Sequence, residues 1–343
     1  MAEKFTVFNG KILDWAMKRA DLSVADLGFP IDVLEKWLNS SDCPTVKEAE
    51  ELAKVLGVPL PYFCLTELPR ETETVFVDGR FQERRIEKTI SLTLRKTVEH
   101  ALECQEFMRD YMTKMDYEPF AFKDTLSPDM TSLEAVRAVI DVLGERKPTW
   151  NFNELFDEYV RRIERAGVVV QSFPVCDTGN NPVVDEFRGF ALYDEYAPFI
   201  FINENDATDA RLFTLLQLFC CILLGRSFIA EWDLGDKIEA FSADTAYRVW
   251  SDEEGFVEGS SWVMLRIFQF GRISKGHFWG ELDKLRSSAK TWQPKTGKGY
   301  CSKRLLDAAV ISAYDDLISF TDAMRLTGLS LRGLEQRAEK LRL

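Results

Sequence analysis

Residues capable of chemistry concentrate in one apolar run, Arg211-Leu-Phe-Thr-Leu-Leu-Gln-Leu-Phe-Cys-Cys-Ile-Leu-Leu-Gly225. Side chains four apart share a helical face, and histidines at that spacing with a Glu beside the first can hold zinc and a general base. Here the four-residue spacing is occupied by Gln217 and Cys221, and Leu218 takes the place of the Glu. The chain has two histidines, His100 and His277, and neither lies in the run. Leucine cannot replace a carboxyl base, so hydrolysis through a zinc-activated water is chemically excluded at this helix. The adjacent thiols Cys220 and Cys221 point about 100 degrees apart on a helix, so small buried fillers suit them better than a joint metal or redox site. Leu212, Phe213, Leu215, Leu216, Phe219, Ile222 and Leu223 equally suit the plain reading, a buried helix of an ordinary core.

The elements around this run are the ones that would position it. Phe187 to Asn203 reads as two short strands around a turn, Asp206 to Arg211 leads into the helix, and Ile238 to Ala246 reads as a second helix carrying Glu239. This order resembles the ImmA/IrrE family of metallopeptidase-like domains over roughly residues 165 to 250. The resemblance rests on Arg188-Gly189-Phe190, Ile202-Asn203, Ala210-Arg211, Phe213-Thr214-Leu215 and Leu223-Leu224-Gly225. It implies a zincin-like fold. It also implies that Gln217, Leu218, Cys221 and Glu239 stand at vestigial zinc-site positions, with Glu239 at the third ligand. One carboxylate without its histidines cannot hold zinc at useful affinity. The expectation is a pseudo-peptidase with no metal, no cofactor and no catalytic residue.

Composition bounds the alternatives. The 343 residues suffice for two or three domains, and 46% apolar with 29% charged residues indicates a globular rather than a disordered chain. No apolar run reaches the roughly 18 residues that cross a bilayer, and the first residues lack the apolar core of a secretory signal. Seven cysteines, at positions 43, 64, 104, 176, 220, 221 and 301, form no paired metal spacing, so reduced thiols and a cytoplasmic location are expected. A net charge of -13 excludes a surface that wraps nucleic acid as a whole, leaving any DNA contact to a local patch.

The N-terminal region reads as helices at Ile12–Ser23, Ile31–Leu38 and Pro44–Gly57, the last with a glycine stop. This series resembles a lambda-repressor-type (XRE) helix-turn-helix domain, which commonly precedes ImmA/IrrE domains. Gly28-Phe29-Pro30 interrupts the place of the second helix. The recognition position offers Asp32, Glu35 and Lys36, and residues 1–66 hold seven Lys/Arg against ten Asp/Glu. Phosphate contacts need cations, so retention for packing or protein contact competes with DNA reading.

Residues 67–116 read as a connection, polar at first and then a long helix suited to bridging domains or packing in a homodimer. Asp124 to Asp129 reads as a loop; Ser132–Gly144 and Asn153–Ala166 read as helices leading to a buried strand at 167–171. The peptidase-like domain is placed at 117–250 and a helical region at 251–343. From 284 to 304 the chain holds Lys284, Arg286, Lys290, Lys295, Lys298, Lys303 and Arg304, with Trp292 and Tyr300 among them and no acid. Bases interleaved with aromatics can track a phosphate backbone, dock an acidic partner, or form a solvated loop. Ile318 to Glu335 looks like two short helices joined at Gly328-Leu-Ser330, a helix-turn-helix-like pattern.

The expected fold is thus α+β and mostly helical, with an N-terminal helix-turn-helix bundle, a zincin-like domain with a small sheet, and a helical C-terminal region. The resemblance implies an antitoxin-like regulator that neutralises a protein partner encoded nearby, such as a PIN-type nuclease toxin. An acidic chain would capture a basic nuclease through electrostatic complementarity. A DNA-binding transcription factor with a ligand-sensing peptidase-like domain is the alternative. A peptidase using Cys221 as nucleophile and His277 as base is a remote one.

Overall fold

The computed structural model describes residues 8–20, 22–58, 60–68, 92–145, 152–175, 187–230, 237–250, 276 and 299–342. The chain divides into two compact units, 1–98 and 99–343. Among the described residues it is α+β and mostly helical, with one mixed five-stranded sheet. No described helix is long and apolar enough to cross a membrane.

The first unit packs α1 (Gly10–Ala20), α2 (Ile31–Leu38) and α3 (Val46–Leu56) around Ile12, Leu13, Leu34, Trp37, Leu52, Leu56 and Phe63. Local signals set the limits of α3. Thr45 and Glu48 form a reciprocal capping box, and Gly57 ends the helix in the left-handed region at φ 62°. Between α1 and α2 lies a single 3-10 turn, Val24–Leu27, closed by Gly28 at φ 75°. Gly28 and Pro30 leave no room for a longer helix there. Asp32, Glu35 and Lys36 all lie on the exposed face of α2.

The second unit is built on the sheet, in the order β4-β2-β3-β1-β5. β1 (Val169–Phe173) runs parallel to β3 (Phe199–Asn203), and β2 (Gly189–Leu192) runs antiparallel to β3. Short edge strands β4 (Phe228–Ala230) and β5 (Tyr300–Cys301) close the two sides. Alternation sorts the side chains: Val170, Ala191, Ile200 and Ile202 belong to a core shared with four helices. Those helices are α5 (Ser132–Leu143), α6 (Phe152–Arg165), α7 (Thr208–Leu223) and α8 (Lys237–Trp250). Phe173, Phe187, Phe190 and Phe201 form an aromatic cluster, with Phe173 and Phe201 edge to face at 4.6 Å. Gln105 on α4 (Leu92–Lys114) donates to the carbonyls of Leu192 and Ala197 at 2.9 and 3.1 Å, tying that helix to β2 and the turn after it.

Three further helices, α9 (Lys303–Tyr314), α10 (Phe320–Thr327) and α11 (Leu331–Leu341), enclose Ala309, Val310, Ala313, Ala323, Leu334 and Ala338. Ser319 and Ser330 cap α10 and α11, and Gly328 turns between them at φ 69°.

Candidate functional site

α7 is the centre of the second unit. Its residues from Leu212 to Leu223 are all fully buried. A helix apolar on every side belongs inside a core, and the sheet, α6 and α8 surround this one. Thr214, Gln217, Leu218 and Cys221 share one face of about 100 degrees by helical geometry. That face meets β2 at Gly189. A Cβ at Gly189 would lie 2.5 Å from the Phe201 carbonyl, 3.1 Å from Leu218 Cδ1 and 3.2 Å from Thr214 Cγ2. Glycine therefore lets helix and strand approach closely.

The approach to α7 is held by a polar network. Arg188, next to Gly189, forms a buried ion pair with Asp206 just ahead of the helix. Burial pushes the Asp206 carboxyl upward and the Arg188 guanidinium opposes that shift. Asp206 Oδ1 also accepts from the Ala207 amide at 2.9 Å. Asn203 Oδ1 accepts from the amides of Val175 and Asn205 at 3.3 and 3.1 Å, and its Nδ2 donates to the Phe187 carbonyl at 3.4 Å. The Arg211 guanidinium lies 4.9 Å from the centre of the Phe156 ring. These residues fix the strand-to-helix geometry.

The chemistry-bearing face differs. Both amide atoms of Gln217 and the hydroxyl of Thr214 are buried without a hydrogen-bond partner. Leu218 and Cys221 are fully enclosed, as is Glu239 on the first turn of α8. Burial holds the Cys220 thiol well above its usual pKa. Among the described residues no three His, Cys, Asp or Glu side chains gather where a metal ion could sit. His277 lies outside the described residues, and His100 lies on α4, its ring 6.5 Å from that of Phe173.

Of the basic stretch, Lys284, Arg286, Lys290, Trp292, Lys295 and Lys298 lie outside the described residues. Its last members stand at the start of the α9 bundle. Tyr300 is half-buried in β5 and donates from its hydroxyl to Glu164 at 2.6 Å. Burial, then the Glu164 carboxylate, raises the Tyr300 phenol, while burial raises the Glu164 carboxyl. Arg304 donates to Met112 Sδ at 3.6 Å, and Lys303 is exposed. The Tyr300–Glu164 pair, in a stretch expected to contact nucleic acid or a partner, is a part-buried contact that periodicity did not signal.

Comparison with protein-family models, with curated proteins and with solved structures finds no match to this chain.

Proposed function

We propose that this chain is a non-catalytic, antitoxin-like regulator: a pseudo-peptidase of ImmA/IrrE type that binds and neutralises a partner protein and autoregulates its operon. One observation carries the reading. Gln217, Leu218, Cys221 and Glu239 are all fully buried, at 0% exposure, so neither water nor a peptide bond reaches the positions where hydrolysis would occur. Hydrolysis needs a nucleophile, a base and access, and this face offers a leucine at the base position and none of the access. Binding through the outer surface remains, and a net charge of -13 favours a basic partner. Co-expression with the product of the adjacent open reading frame tests this. The product should be toxic alone, harmless in company and recovered with this chain; a product harmless alone, or one that never co-purifies, contradicts it.

The second reading, a transcription regulator whose peptidase-like domain senses a ligand, draws on the unpartnered Thr214 hydroxyl and Gln217 amide. Buried polar groups without partners are rare and suit a site that receives one. Salt-dependent affinity for the chain's own promoter separates the two, because phosphate contacts impose a steep salt slope.

A further inference from the structure

Large apolar side chains left in water next to one another mark interaction surfaces, and one such group lies where α9 turns into α10. Tyr314, Leu317 and Phe320 are 40%, 55% and 38% exposed, and the Tyr314 and Phe320 rings meet edge to face at 5.4 Å.

Charge selects the occupant. Asp315 and Asp316 are exposed between Tyr314 and Leu317. The stretch 314–322 holds no Lys or Arg. Aromatic faces with carboxylates beside them suit guanidinium and ammonium groups, through ring–cation contact and ion pairing together. DNA phosphates would be repelled. A second copy docked face to face would set these acids against themselves.

We propose that Tyr314, Leu317 and Phe320, rimmed by Asp315 and Asp316, form the docking surface for an arginine- or lysine-rich segment of a partner protein. The assignment rests on the partner-binding reading above and gives that partner a chemistry and a place.

The test uses the full chain and a fluorescein-labelled nona-arginine peptide at physiological salt, read by anisotropy. Tyr314→Ser/Leu317→Ser/Phe320→Ser should weaken binding at least ~10-fold, as loss of anchoring side chains does. Asp315→Asn/Asp316→Asn should weaken it severalfold; Asn at 316 keeps the left-handed backbone seen there at φ 56°. Glu50→Gln/Glu51→Gln, which removes equal charge in the first unit, should leave binding unchanged. Equal losses in both charge variants would overturn the proposal, as would an unaffected triple variant or a dimer that dissociates in it. Should the triple variant fail to fold, the two charge variants still decide. An adjacent gene product retained equally by wild type and triple variant overturns this placement alone. Peptide binding at the patch without any co-purified product overturns the partner reading alone.

Discussion

Arg188 and Gln217 are both buried polar side chains of the second unit, and they are treated in opposite ways. Arg188 is paired with Asp206, at the head of a network that runs through Asn203 and the start of α7. Gln217, within α7 itself, has an amide without a partner. A buried charge without its counter-ion is strongly destabilising, so the Arg188–Asp206 frame is held in place by folding whatever the domain does. The Gln217 face carries no such constraint.

The largest expected effect breaks the frame. Arg188→Met leaves Asp206 buried alone and should lower stability by about 3–5 kcal/mol in denaturant melts. Arg188→Met/Asp206→Leu should recover much of that loss; a double variant as unstable as the single would mean the pair does more than neutralise itself. Next comes Gly189→Val, which drives a side chain into the Phe201 carbonyl and Leu218. A loss of roughly 1–3 kcal/mol is expected from such overpacking, and an unchanged melt would mean that α7 can lift from the sheet.

On the other side of the comparison the sign reverses. Gln217→Leu replaces an unpartnered amide by a hydrocarbon of similar size and should raise stability by about 1 kcal/mol. A fall would mean that the amide has a partner in solution, which favours the ligand-sensing reading. The smallest effect concerns His100, whose imidazole is held below the usual 6.5 by burial, with Glu103 opposing and Arg325 adding to the shift. The fold therefore favours the neutral ring. Its contribution is complete above pH 6.5, the unfolded value, and declines as pH falls toward the lower folded one. His100→Gln should flatten stability across that window, and a parallel curve for the variant would contradict it.

Sequence patterns were most legible where the signal is local. The α2 limits follow from Pro30 and the apolar spacing, and those of α3 from Thr45, Glu48 and Gly57, because caps act within four residues. At Gly28-Phe29-Pro30 the chain breaks, leaving only the 3-10 turn Val24–Leu27 before it. The strands at Gly189 and Phe199 were legible from their apolar runs. β4 and β5 were not, since strands of three and two residues exist only through their neighbours β2 and β1. The contacts of Tyr300 were not legible for the same reason: Glu164 and Ser172 lie far away in the chain. The spacing did place Gln217, Leu218 and Cys221 on one face. It could not report that this face is sealed against β2, because sealing depends on Gly189 and on α8.

Metal content tests the central claim most directly. Protein purified without chelator and analysed by mass spectrometry of the elements should carry only a trace of zinc per chain, far below one equivalent. One tightly bound zinc per chain, lost together with a change in fold or activity, would contradict a sealed, non-catalytic face built on Gln217, Leu218, Cys221 and Glu239.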